Sequence, residues 1–389
     1  MSMTSTTTST RWVGVAASAM TDPAAAAADA VARAVADRDT ALVLLFVSPF
    51  LDLATVAAEA ARTAPAGARV VGCTTSGEIG EGTAGSGRVV AVALGGVSVG
   101  VSVGDLSRGA RAAGAQAAAA LDGVVGENRA LVLLGDGFAG NRADMVRGAY
   151  GVAGASVALV GGCAGDELQM VATALLVDGE VVRGSLLGVA IGSPGPIGVG
   201  IGHGWRRVGR PLVVTGSDGS TIHTLDDRPA LDEYLRLAGA PAEAYTDPSL
   251  WYGIAMSNSF GLPRPGGEEV RAVLSADFEA RTLTCSDVPQ GTTVWLMDGD
   301  AGTVQEGTRV AAAEALRDLG GVAPRGVVAF DCVARRAVLG PDGTAAETRL
   351  LDELMGGVPV GGFYTYGEFA RTSGARGVHN ATLVLLALG

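Results

Sequence analysis

The chain has 389 residues, 48% hydrophobic and 17% charged, and its 59 glycines follow no Gly-X-Y period. That composition is globular and too long for one core, which excludes disorder over most of the chain and excludes collagen. Net charge is −12 and all 28 basic residues are arginine. Nucleic acid and anionic membrane are therefore poor partners, and chemistry that needs a lysine ammonium is ruled out.

Residues 1–10 are rich in Ser and Thr and read as a flexible tail without the pattern of a secretory signal. A first strand is expected over 11–17. Asp22 before Pro23 caps an alanine-rich helix reaching about 38. An apolar strand over 41–47, a helix over about 52–64 and a strand over 69–72 lead into a Gly-rich turn, followed by strands 89–94 and 97–103. The same grammar returns. Strand 130–134 precedes a helix from about 141 with Asn141 as cap. Strand 157–160 runs into a second Gly-rich turn, and antiparallel strands 173–177, 181–191 and 197–201 follow. Strands are also expected over 220–225 and 291–297. Thr303-Val304-Gln305-Glu306 reads as a capping box for a helix stopping at Gly320-Gly321. Strand 327–330 enters Asp331-Cys332. A second box, Thr344-Ala345-Ala346-Glu347, opens a helix ending at Gly356-Gly357, before strands 358–361 and 381–388.

Gly72-Cys73-Thr74-Thr75-Ser76-Gly77-Glu78 and Gly362-Phe363-Tyr364-Thr365-Tyr366-Gly367-Glu368 match at Gly, Thr, Gly and Glu with identical spacing. Gly162-Cys163-Ala164-Gly165-Asp166 is a looser third copy. The fold class that follows is α/β: mixed β-sheets flanked by helices, in two related halves of strand-helix-strand-turn-strand repeats, divided near 205–211.

Glycine lets these turns take positive φ and approach other backbone closely. Each acid, Glu78, Asp166 or Glu368, can simply accept the N–H groups of its own turn. As a group, with Thr75, Tyr364 and Tyr366, the turns read as a pocket at the strand ends, where α/β proteins bind ligands. Cys73, Thr74, Ser76, Cys163, Cys332 and Arg335 complete the candidate ligand-binding set. Gly161-Gly162-Cys163-Ala164-Gly165 has nucleophile-elbow spacing, but strand-like sequence follows and Asp166 raises a neighbouring thiol, so a small buried residue is favoured. The four cysteines form no CxxC and read as reduced thiols.

There are three histidines and no HxxxH pattern, so no metal site is assigned. One histidine suffices for a b-type haem. Gly198, Gly200 and Gly202 lie in a β-run that no helix follows, against a dinucleotide site.

These motifs, with Val214-Thr215-Gly216-Ser217-Asp218-Gly219-Ser220-Thr221-Ile222-His223-Thr224-Leu225-Asp226, Pro229-Ala230, Tyr234 and His379-Asn380-Ala381-Thr382, resemble the FIST family of bacterial sensory proteins. The resemblance implies a FIST N-like domain over 11–205 and a FIST C-like domain over 206–389. It implies a cytoplasmic signal-transduction protein, not an enzyme, that binds a small ligand such as an amino acid. With no room here for an output domain, a separate partner such as a histidine kinase or cyclase is expected. Some FIST proteins bind haem and sense nitric oxide. Haem binding here would use His203, between Gly202 and Gly204, as axial ligand, with His379 as second choice. A hydrolase using Cys163 competes with these readings, as does an interaction scaffold without ligand.

Overall fold

The structure, a computed structural model, describes residues 10–264, 267–285, 288–371 and 377–389. The expected tail lies, up to residue 9, outside the described residues.

One folding unit occurs three times. The first runs β1 (Trp12–Ser18), α1 (Pro23–Val35), β2 (Leu42–Val47), α2 (Leu53–Thr63), β3 (Arg69–Thr74), a hairpin of β4 (Glu78–Gly80) and β5 (Thr83–Gly85), and β6 (Val89–Gly95). The second runs β7 (Ser98–Asp105), α3 (Ala110–Ala118), β8 (Asn128–Gly135), α4 (Arg142–Ala153), β9 (Ala158–Cys163), a hairpin of β10 (Leu175–Val177) and β11 (Glu180–Val182), and β12 (Ser185–Ser193). The third begins with β13 (Ile197–Gly202). It is then interrupted by β14 (Arg206–Asp218), β15 (Thr221–Leu225), β16 (Arg228–Pro229), α5 (Ala230–Leu237), α6 (Pro248–Ser257), β17 (Asn258–Arg264), β18 (Gly267–Asp277), β19 (Thr282–Cys285) and β20 (Thr293–Asp298). It resumes with α7 (Ala301–Asp318), β21 (Gly326–Cys332), α8 (Val333–Leu354), β22 (Val360–Thr365), a hairpin of β23 (Glu368–Arg371) and β24 (Val378–His379), and β25 (Leu383–Leu388). The α/β class with mixed sheets and flanking helices stands, and the copy around Cys163 is as complete a unit as the other two.

Each unit orders its long strands first-last-second-third, with the second and third parallel. The sheet is then finished by a hairpin from another unit. β10–β11 adds to β3, β23–β24 adds to β9, and β4–β5 adds to β22. The three units exchange hairpins in a closed ring, so none completes its own sheet.

Side chains on alternate positions point to opposite faces of a strand. One face of all three sheets meets in a shared core that includes Phe46, Leu134, Val189, Phe330 and Phe363. Phe46 stacks on Phe363 with centroids 4.7 Å apart. The other faces bury Leu45, Leu133 and Leu385 beneath three helix pairs. Strands covered on both sides read as continuous apolar runs, which is why β2 and β25 stand out in the sequence.

The glycine and alanine content follows from helix-on-sheet packing. A Cβ on Gly200 of β13 would lie 1.8 Å from the Ala311 carbonyl oxygen of α7, and one on Gly202 would lie 2.0 Å from that of Gly307. The Gly198–Gly202 pattern is thus a seat for α7, which reaches it only after the interruption.

The interrupting strands form a seven-stranded antiparallel sheet, and pairing of β14 with β15 closes the strand circuit. Tyr234, Trp251 and Phe260 lie in its core.

Several local expectations are corrected. Helix α3 was not expected, because its buried face is only Ala113, Gly114, Ala117 and Ala118. The expected strand 181–191 divides into β11 and β12, which belong to different sheets. Asn141 sits at the cap position with φ 52°, but its amide donates to Asp144 at 2.8 Å and accepts nothing from the helix. Helix α7 starts a turn earlier than expected: Asp300 is the N-cap, and Thr303 is its reciprocal partner. Thr344 also lies inside a helix, donating to the Gly340 carbonyl at 2.6 Å. α8 breaks at Gly340 (φ 63°, ψ −178°), and Pro341 starts its second segment.

Candidate functional site

The three third strands end where the chain crosses to a neighbouring sheet. Two crossings are built alike. In the first, the Thr75 hydroxyl donates to the Glu78 carboxyl, and the Gly77 N–H donates to Thr75 Oγ1 at 3.3 Å. The Arg88 N–H donates to Glu78 Oε2 at 3.1 Å. In the third unit Thr365 donates to Glu368, the Gly367 N–H to Thr365 at 3.2 Å, and the Thr382 N–H to Glu368 Oε2 at 3.2 Å. Gly77 has φ 111°, and a Cβ there would lie 2.8 Å from the Arg336 guanidinium. Burial pushes both Glu78 and Glu368 up to about 8, so each is a protonated acid at neutral pH.

The middle unit differs. The hairpins of the first and third units begin with Glu78 and Glu368, whereas that of the middle unit begins with Leu175, which lies opposite Cys73. Asp166 stands earlier, on an inserted loop. It accepts the N–H groups of Met170 (3.1 Å), Val171 (2.7 Å) and Ala172 (3.1 Å), and the Tyr366 hydroxyl.

The turns interlock. Ser76 N–H donates to the Tyr364 carbonyl (2.9 Å), and Tyr364 N–H to that of Gly77 (2.8 Å). Gly165 N–H donates to Thr74 (3.0 Å), Cys163 N–H to Gly367 (2.8 Å), and Tyr366 N–H to Cys163 (3.1 Å). The structure therefore brings Thr74, Thr75, Ser76 and Glu78 against Cys163, Asp166, Tyr364, Tyr366 and Glu368. It does so as a closed ring of backbone bonds, in which all of these but Tyr366 are buried.

Cys73, Cys163 and Cys332 are fully enclosed, and burial pushes their thiols up. No helix starts at Cys163, so it lacks the elbow geometry that activates a nucleophile.

Beside this ring lies a second cluster. Arg335, in the first segment of α8, is completely buried. Its Nε donates to Asp331 (2.6 Å) and its Nη1 to the carbonyls of His203 (2.8 Å) and Val304 (3.2 Å). Its Nη2 donates to Thr308 (2.8 Å) and to Glu347. Burial, with Glu347 nearby, pushes Asp331 well above the usual carboxyl range despite Arg335. Asp331 Oδ2 and the Tyr364 hydroxyl have no hydrogen-bond partner. Arg336 lies 5.4 Å above the Tyr364 ring, pairs with Glu167 at 2.9 Å, and donates to the Ser76 carbonyl. Arg335, Cys332 and Tyr364 were nominated from sequence; Asp331, Thr308, Glu347, Arg336 and Glu167 were not.

His203 Nδ1 accepts the Trp205 N–H at 3.0 Å, so the neutral ring carries its proton on Nε2. His379 Nε2 lies 2.9 Å from the Ala370 carbonyl, to which it donates. Neither ring, as placed, offers iron the free Nε2 lone pair a haem ligand needs. Among the described residues no group of three or more His, Cys, Asp or Glu is placed to hold a metal ion. Among them, too, no helix is long and apolar enough to cross a membrane.

The architecture is thus one of interlocked α/β units whose thiols are buried and whose acids are held by their own turns. The chain belongs to the FIST family: residues 41–228 match the FIST N domain and residues 230–371 the FIST C domain. FIST domains are signal-transduction sensory domains. The chain is 30% identical over 229 residues to an uncharacterized protein of Mycobacterium tuberculosis strain H37Rv, covering 58% of this chain and 59% of that one. It is 31% identical over 231 residues to an uncharacterized protein of Mycobacterium bovis, covering 58% of each. The chain thus spans less than two thirds of the length of these relatives.

Proposed function

We propose that this protein binds a small ligand at the meeting point of its three units and passes the change to a separate signalling protein, such as a histidine kinase or cyclase. The observation that supports this reading is the ring of exchanged hairpins. Each crossing turn is the root of a hairpin that completes another unit's sheet. A ligand that shifts one turn therefore repositions a strand in a neighbouring sheet, which gives the module a two-state element for a partner to read.

A thermal-shift screen of amino acids and other small metabolites tests this, followed by hydrogen exchange on any stabilising compound. The expected result is a saturable rise in Tm with new protection over 73–78, 163–175 and 364–368. A protein that no metabolite stabilises, but that still binds a signalling partner, would be a scaffold instead. Haem is judged separately: a stoichiometric Soret band lost on His203→Ala would replace this reading with gas sensing.

A further inference from the structure

We propose that Asp331, Glu347 and Tyr364 form a buried subsite for a primary ammonium group, closed over by the Arg336–Glu167 ion pair. The proposal rests on the ligand-sensing reading and gives the ligand a chemical class.

Donor arithmetic sets the class. A guanidinium has five N–H donors. Those of Arg335 are committed to Asp331, the His203 and Val304 carbonyls, Thr308 and Glu347. Nothing remains to bind an anion. What remains is oxygen: Asp331 Oδ2 and Tyr364 Oη are buried and accept no hydrogen bond from the rest of the protein. Asp331 and Tyr364 lie opposite each other in the parallel β21–β22 pair, so their side chains leave the same face of the sheet. Tyr364 packs there among residues of α7 and α8. Buried oxygens of this kind call for a hydrogen-bond donor.

Charge points the same way. Two carboxyls surround one guanidinium, so the cluster is short of one positive charge. In the unliganded protein burial, with Glu347 nearby, keeps a proton on the Asp331 carboxyl, and that proton makes up the deficit. A primary ammonium carries the same charge and three N–H groups, enough for Asp331 Oδ2, the Glu347 carboxylate and the Tyr364 oxygen. Its entry displaces the Asp331 proton to solvent: one ammonium is bound and one proton is released.

Access and readout follow from Arg336, whose side chain is 25% exposed. It covers the Tyr364 ring and holds both Glu167 and the Ser76 carbonyl. Glu167 sits on the inserted loop with φ 55°, a conformation costly for a side-chain-bearing residue. Opening this pair exposes the cluster and releases the first turn together. The break at Gly340 separates the segment carrying Arg335 from the segment carrying Glu347, so the two arms of the site can part.

The test uses the whole protein with methylammonium chloride as probe and tetramethylammonium chloride, which has no N–H, as control at equal concentration. Methylammonium is expected to raise Tm saturably while the control does not. Calorimetry in buffers of different ionisation enthalpy should report about one proton released per site. Tyr364→Phe keeps the packing and should weaken the response about tenfold. Asp331→Asn should abolish proton release. Equal effects of the two ions, or an undiminished response in Tyr364→Phe, overturn the proposal. If methylammonium fails but another metabolite stabilises wild type and Asp331→Asn alike, this subsite is wrong and the sensory reading stands. If every compound fails, both fall.

Discussion

Glu78 and Glu368 occupy the same place in two units. Each is the first residue of a hairpin that leaves its own unit, each takes a hydroxyl bond from the threonine three residues before it, and each is buried. Both stay protonated because desolvation outweighs those bonds.

This arrangement makes stability fall as pH rises. The groups that face Glu78 are Glu167 and Arg336; Cys332 and Arg142 face Glu368. In the unfolded chain each acid titrates near 4.5, and in the fold near 8. Between these values the folded protein holds protons that the unfolded chain has released, so raising pH favours unfolding, and the loss is complete above about 8. Each acid should cost up to about 5 kcal/mol across that window. Tm measured from pH 5 to pH 9 should decline in wild type, and the decline should be shallower in Glu78→Gln with Glu368→Gln. An unchanged slope in the double variant would show that these acids are ionised in the fold.

The strand glycines make a second prediction. Gly200→Ala would place a methyl 1.8 Å from the Ala311 carbonyl oxygen, and α7 must move to admit it. Chemical denaturation should show a loss of about 3 kcal/mol or more. Gly151→Ala, in α4 with nothing within 4 Å of the new carbon, should instead gain up to about 1 kcal/mol. Equal effects at the two sites would mean that β13 and α7 do not pack so closely.

The reach of the sequence is explained by the same packing. β2, β21 and β25 are legible because both faces are covered and every residue but Asp331 is apolar or small. α3 is silent because alanine against strand glycine leaves no amphipathic stripe. Most of the inserted sheet is silent too, since β14 is largely exposed and its pairings shift register. The Thr–Gly–Glu turns are visible as a repeat, but hairpin exchange depends on pairing between distant segments, which local pattern does not carry. Asp166 resembles Glu78 only as an acid directly after a turn glycine, because the insertion after it delays the start of the hairpin to Leu175. Glu347 is hidden differently: Thr344-Ala345-Ala346-Glu347 has the form of a capping box, while the carboxyl is the buried partner of Arg335.

Arg335 should tolerate no other cation. Lysine brings three donors to a place that uses five, and cannot span Asp331 and Glu347 from one plane. Arg335→Lys is expected to lose about 3–5 kcal/mol in denaturant unfolding, as does a buried pair deprived of one partner. Joint replacement, Arg335→Met with Asp331→Leu and Glu347→Leu, should recover most of that loss, because no charge is then left buried. A lysine variant of wild-type stability would mean the cluster is hydrated and loosely held.

Thiol reactivity separates the sensor from a cysteine hydrolase. Cys73, Cys163, Cys285 and Cys332 are all buried. An activated nucleophile needs exposure and a lowered thiol pKa, whereas burial raises Cys163 and outweighs Arg142 nearby. Reaction with a thiol reagent should therefore wait for the chain to open. Labelling followed by mass spectrometry should show Cys163 reacting no faster than Cys73, with both rates climbing together as denaturant is added. A fast phase at Cys163 alone in native buffer, steepening with pH and absent in Cys163→Ser, would return the hydrolase reading to first place.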